Sequence, residues 1–284
     1  MKNSPSLIGV IHLPPLAGAP VAFGEDPSVS LQRAGSWAIQ EAQVLAKAGF
    51  DGIILENFGD VPFYKTQVPP ETIASLSVIA AAVRDVSRIP VGINVLRNDA
   101  RAALAIASVT GCEFIRVNVL TGVAATDQGL VEGDAAFLIR ERARLAAPVA
   151  VFADVDVKHA KSLSSDNSID ALKDLVGRGL ADAAILTGKA TGTPVDFAVL
   201  EQAAQVARSL GIPYYVGSGA KIADLPLIRQ LGARVIVSSA LRKGGRAGAP
   251  LDLKKVREFG KLFFKKPPQT RKSKPKTKGA KKGR

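Results

Sequence analysis

Val149–His159 reads VAVFADVDVKH, and the choice of fold turns on it. In an extended strand, alternate side chains face opposite ways. Val149, Val151, Ala153, Val155 and Val157 then form one apolar face. Ala150, Phe152, Asp154, Asp156 and Lys158 form the other, which turns ionic along its length. The first face suits packing against helices, and the second carries charge to one end of a sheet. Taken alone, the stretch fits a catalytic strand and a strand running into a solvated loop equally well.

Seven other Val/Ile-rich runs read as strands around it. They are Leu7–Leu13, Gly52–Asn57, Val91–Leu96, Phe114–Val119, Ala183–Gly188, Tyr214–Gly219 and Val235–Ser239, with Val149–Lys158 fifth in chain order. Between them lie helical patterns over Leu31–Ala48, Glu71–Val86, Ala100–Val109, Asp134–Ala146, Ser168–Arg178, Asp196–Leu210, Ile222–Gln230 and Leu251–Phe264. Glycine closes several of them, as in AGFDG, TGCEF, LGIP and LGAR, the usual C-cap signal. Strands alternating with helices in this number match a (β/α)8 barrel occupying residues 1–264. An open doubly wound sheet has the same alternation and stays as the alternative. The segments after the strands are long, at 14–30, 58–70, 120–133 and 160–167, while the helix-to-strand turns are short. A site is expected on the long-loop side.

Composition narrows the function classes. The 284 residues are 47% apolar, enough to bury a full core, and no run is long and apolar enough to span a membrane. Cys112 is the single cysteine, so an internal disulfide and a cysteine-rich metal site are excluded. A reducing, cytoplasmic setting fits, and the start MKNSPSLIGV enters a strand without a leader-like cleavage site. The net charge of +13 is uneven: ten Lys or Arg and no acid lie in 265–284, leaving the body 28 basic against 25 acidic residues, a net of +3. That tail reads as disordered. It is either a solvated appendage or an electrostatic contact to nucleic acid or an anionic membrane surface, with peripheral membrane attachment as one consequence. A homo-oligomer is compatible with the sequence.

The same alternation, applied to every strand, sorts the polar residues. His12, Glu56, Asn94, Asn118, Asp154, Asp156 and Lys158 converge on one mouth, with His159 just beyond. Arg116 lies one layer deeper and needs an acid partner, Glu56 or Asp154, because a buried unpaired guanidinium is very costly. Each residue alone reads more readily as a polar plug; the set from five strands points to a ligand site. At the seventh and eighth strand ends, Gly217, Ser218 and Gly219 with Ser238 and Ser239 suit an anion, through backbone N–H groups, hydroxyls and the start of a following helix. A tight turn without an anion is the plain alternative. Thr187 and Gly188 offer a second polar rim, and the loop TGVAATDQGLVEGD offers a lid carrying Asp127 and Gln128.

These motifs together resemble the BtpA family, which includes SgcQ-like proteins. The likeness rests on IGVIHLPPLAGAP, ENFGDVPF, INVLRND, FIRVNV, ATDQGLVEG, FADVDVKHA, TGKATG, VGSG and SSALRKGG, in order over about residues 7–246. The resemblance implies a TIM barrel of the ribulose-phosphate-binding type. It also carries a link to photosystem I biogenesis at thylakoid membranes, although members occur in organisms without photosystems. It implies no settled reaction.

Two functions of different class follow as expectations. The first is an enzyme, a lyase, isomerase or hydrolase, acting on a phosphorylated small molecule such as a sugar or nucleoside phosphate. Glu56, Asp154, Asp156, Lys158 and His159 would carry catalysis. His12, Asn94, Arg116, Asn118, Asp127, Gln128, Thr187 and Gly188 would bind substrate. Lys158 is a candidate Schiff-base nucleophile, but neighbouring carboxylates favour an ammonium in an electrostatic role. A divalent metal on Glu56, Asp154 and Asp156 is a further candidate. The second function is a non-catalytic assembly or stability factor tethered through its tail.

Overall fold

A computed structural model of the chain describes residues 4–155, 160–164, 167–187, 197–217 and 219–264. Eleven strands occur among the described residues: β1 (Leu7–His12), β2 (Gly52–Glu56), β3 (Val91–Asn94), β4 (Phe114–Val117), β5 (Val123–Thr126), β6 (Gly129–Glu132), β7 (Ala150–Asp154), β8 (Ala160–Ser162), β9 (Ala183–Thr187), β10 (Tyr214–Gly217) and β11 (Arg234–Val237). The helices are α1 (Pro27–Lys47), α2 (Pro70–Ser87), α3 (Ala100–Thr110), α4 (Ala135–Arg144), α5 (Ser168–Gly177), α6 (Phe197–Leu210), α7 (Leu225–Gln230) and α8 (Leu253–Phe264).

Eight strands close in the order β1-β11-β10-β9-β7-β4-β3-β2. β1 pairs in parallel with both β2 and β11, so the open-sheet alternative is excluded. Local chemistry starts the helices where they begin. Asp26, Asp99 and Asp134 cap α1, α3 and α4 by accepting from Ser28, Ala102 and Phe137 backbone N–H groups. The Asp26 cap also draws α1 back to Pro27, ahead of the expected Leu31.

The strand alternation holds inside the barrel. Ile8, Val10, Ile54, Phe114, Phe152, Ile185, Tyr215 and Ile236 fill its axis. Ile53, Leu55, Val91, Ile93, Ile115, Val117, Val151 and Ala153 face the helices. Phe114 stacks on Phe152 with ring centroids 4.5 Å apart. β3 makes room for this stack with Gly92, where a Cβ would collide with the Phe114 ring. The axis is therefore a packed floor, and polar side chains can gather only above it.

Two expectations need correction. The 120–133 segment, expected as a loop, forms the β5–β6 antiparallel hairpin, and β8 adds to β5 as a third strand. Val119, which strand alternation would set on the helix-facing side with Ile115 and Val117, instead packs under this flap with Ala124, Val131 and Ala160. The fifth barrel strand ends at Asp154, while Asp156, Lys158 and His159 lie outside the described residues. The basic tail, 265–284, also lies outside them. No helix among the described residues is long and apolar enough to cross a membrane.

Candidate functional site

The barrel register sets three side chains abreast at the C-terminal mouth. His12 pairs with Glu56 across β1 and β2, and Glu56 pairs with Asn94 across β2 and β3. All three are buried. Asn94 Nδ2 donates to Glu56 Oε2 at 2.6 Å, and Glu56 Oε1 lies 3.5 Å from His12 Nε2. Burial raises the Glu56 pKa, opposed by the nearby Arg116 cation and the Asn94 hydrogen bond.

A second cluster rises from β4 and β7. Arg116 grips Asp154 with two bonds of 3.0 Å, Nε to Oδ2 and Nη2 to Oδ1. Of the two acids expected as its partner, Asp154 takes the direct contact. Burial works against the guanidinium, but Asp154 and then Glu56 outweigh it and raise its pKa. Asn118 Nδ2 adds a bond to Asp154 Oδ2 at 2.9 Å.

The tautomer of His12 follows from its partners. The Gly248 N–H donates to His12 Nδ1 at 2.9 Å, so Nδ1 carries a lone pair. Burial, helped by the positive charges of Arg242 and Arg116, lowers the ring pKa to about 3, so the ring is neutral. The one ring proton is therefore on Nε2, which lies 2.9 Å from Ser238 Oγ. With Oγ accepting from His12, the Ser238 hydroxyl has its own proton to give elsewhere. This polarity also rules out His12 as the base that would activate Ser238 as a nucleophile, because Nε2 has no free lone pair.

Around the anion candidates, register Gly217↔Ile236 sets the ends of β10 and β11 level. Gly217 has a packing reason to be glycine, since a Cβ there would stand 2.5 Å from Ile185 Cγ2. Gly219 takes a left-handed φ of 95°. The element following β11 is a three-residue 3-10 turn, Ser239–Leu241, and the next helix, α8, begins only at Leu253. Thr187, at the end of β9, is buried beside Gly217. Ser218 and Gly188 lie outside the described residues.

Not every expected residue joins the mouth. Asp127 and Gln128 form the tip of the β5–β6 hairpin, where Gln128 Nε2 donates to Asp127 Oδ2 at 2.6 Å. Gln128 N also donates to Thr126 Oγ1 at 3.1 Å, a bond that likewise stays within the hairpin. For the metal, no group of three or more His, Cys, Asp or Glu among the described residues is placed to hold an ion. Glu56 and Asp154 already accept from Asn94, Arg116 and Asn118, and Asp156, the third expected ligand, lies outside the described residues.

Sequence reasoning missed several supporting residues. Phe58 stacks on the His12 ring at 4.2 Å. Arg242, wholly buried, donates to both Glu41 oxygens at 2.8 and 3.0 Å and to the Val10 carbonyl at 2.9 Å, tying α1 and β1 behind the mouth. Asn57 accepts from Leu96 N at 2.7 Å, and Asp60 from Leu16 N at 2.8 Å, bracing the first two mouth loops. Phe58, Asn57 and Asp60 were within reach in the quoted ENFGD stretch. Gly248, in a loop without periodicity, left no signal.

The sequence matches the profile of the BtpA family over residues 3–265. It is 46% identical to the photosystem I biogenesis protein BtpA of Synechocystis sp., covering 89% of this chain and 86% of the relative. It is 44% identical to an uncharacterized protein of Thermococcus kodakarensis, covering 90% of this chain and 94% of that one. Among solved structures it resembles N-(5'-phosphoribosyl)anthranilate isomerase from Pyrococcus furiosus, with a TM-score of 0.54 and 17% identity over 90% of this chain and 98% of the other. At that identity the likeness concerns the fold.

Proposed function

This chain belongs to the BtpA family, and on that premise we propose that it is an enzyme acting on a small phosphorylated metabolite at the C-terminal mouth of its barrel. The observation that supports this most is the ring of buried His12, Glu56, Asn94, Asn118, Asp154 and Ser238 with the half-buried Arg116, set above an apolar floor. So many desolvated polar groups are expensive to assemble and have little to contribute to packing.

The residues divide by what their hydrogen bonds leave free. Ser238, accepting from neutral His12, offers its hydroxyl proton to a phosphate oxygen, beside the backbone turn at Gly219. Glu56, whose acid form is favoured by burial, exchanges a proton with the substrate. Asp154 has both oxygens occupied by Arg116 and Asn118 and serves as a fixed charge. Lyase, isomerase and hydrolase chemistry all draw on such a proton transfer, and Asp156, Lys158 and His159 follow in the chain shortly after Asp154.

A thermal-shift screen of phosphorylated metabolites tests the reading, because a ligand that binds only the folded state raises its apparent stability. Binding is expected, with Ser238→Ala weakening every phosphorylated ligand. Glu56→Gln should lower turnover of the substrate so found by about 10²–10⁴-fold while leaving binding in place. Unaltered turnover in that variant would remove Glu56 from the chemistry.

A second reading, an assembly or stability factor, is supported by the name of the Synechocystis relative. Under it, Glu56→Gln leaves the biological role intact.

A further inference from the structure

The side-chain amide of Asn118 is held one way round. Its Nδ2 donates to Asp154 Oδ2, and turning the amide over would set Oδ1 against that carboxylate. Oδ1 is thereby committed to the opposite side, where it is buried with no hydrogen-bond partner among the described residues. Asn118 as a whole is 5% exposed. Buried polar atoms are nearly always paired, and an unpaired one marks a place where a partner belongs.

Beside it lies a small cavity of about 30 Å³, lined by Asn118, Asp154, Val155 and Thr121 together with Ala124 of β5 and Ser162 of β8. That volume suits one water-sized group. We propose that this cavity, bordered by the flap, seats a free hydroxyl of the substrate, which donates its proton to Asn118 Oδ1. The inference rests on the phosphorylated-metabolite reading above and narrows it.

The chemistry of the walls selects the group. An amide oxygen only accepts, so the ligand must donate. The Asp154 charge is matched by the two-bond grip of Arg116, so no unbalanced negative charge draws an ammonium, and a neutral hydroxyl fits better. At the β11 end of the mouth, Ser238 has a proton to give and therefore asks for an acceptor. The ligand thus carries an acceptor, the phosphate, at one end and a donor, the hydroxyl, at the other. Those are the features of a phosphorylated polyol or sugar. A site built to pair a hydroxyl discriminates against the analogue that lacks it.

Calorimetric titration of the full chain tests this with defined probes: inorganic phosphate, ribose 5-phosphate against 2-deoxyribose 5-phosphate, and glucose 6-phosphate against 2-deoxyglucose 6-phosphate. At least one sugar phosphate should compete with inorganic phosphate, bind more tightly than it, and lose about tenfold in its deoxy form. In Asn118→Ala that preference should fall to near unity with phosphate affinity unchanged, since Asp154 keeps both bonds to Arg116. Should the alanine variant fail to fold, Asn118→Ser carries the same comparison. Phosphate binding with no hydroxyl preference, or a preference that survives in the Asn118 variants, overturns the hydroxyl seat and leaves the phosphate reading standing. Absence of binding by phosphate and by every sugar phosphate overturns both.

Discussion

The clearest consequence of a single residue's surroundings is the pH response of His12. Its folded-state pKa, about 3, lies below the ordinary 6.5, so between those values the unfolded chain binds a proton that the native ring refuses. Stability therefore falls as pH drops through that window, by at most about 1.4 kcal/mol per pH unit from this group. Glu56 acts in the opposite direction. Its raised pKa makes the native state take up a proton before the unfolded chain does, which offsets part of the acid loss. The diagnostic is consequently a difference: urea denaturation of wild type and His12→Asn at a series of pH values from 7 to 4. The wild type should lose more stability on acidification than the variant, and parallel profiles would show that His12 takes up its proton without penalty. Alternation along the strand predicted that His12 reaches the mouth. Its tautomer depends on Gly248, 236 residues away in the chain, and no local pattern announces that contact.

Among the elements, the flap is the one that the sequence expectation placed but did not shape. Its own core is small, just Val119, Ala124 and Val131 with Ala160 packed against them. Val131→Asp would put a charge into that cluster, which has no cation among its members. The flap should then lift while the barrel, whose apolar layers it does not share, stays folded. Limited proteolysis should show new cleavage within residues 120–134, and the thermal midpoint should hold nearly constant. Resistance equal to wild type would mean that the hairpin is secured by its ladder to β8 instead. The TDQG turn was legible as a glycine-punctuated loop because Gly129 takes a left-handed φ of 92°. The strands flanking it were hidden: VAAT and GLVE are short and only partly alternate, and the partner β8 arrives from beyond the fifth barrel strand.

At the scale of the molecule, charge and fold separate. The family match ends at residue 265, where the run of ten basic residues begins. A chain ending at residue 264 should keep its thermal midpoint and, on the enzyme reading, its turnover. Any binding to heparin or to anionic vesicles should fall, because the remaining net charge is only +3. Loss of the biological role on truncation, with the barrel still folded and turnover unchanged, would favour the tethered-factor reading.

The amino-acid sequence by itself determined the alternation of strands and helices and the direction in which the strands present their side chains, while closure of the sheet into a barrel appeared only in the pairing of β1 with β11. Periods of 2 and 3.6, with glycine and proline at the breaks, are local properties that each segment carries whatever its neighbours do. It likewise determined which polar residues reach the mouth, because alternation leaves Glu56, Asn94, Arg116 and Asp154 no other face. Tertiary structure alone decided how those residues pair. Arg116 chose Asp154 because β4 and β7 are adjacent strands, with Arg116 level with Phe152 and Asp154 one inward step above it. It also decided the neutral state of His12 and the unpaired oxygen of Asn118. Both depend on desolvation and on contacts between distant segments, which exist only after the barrel has closed.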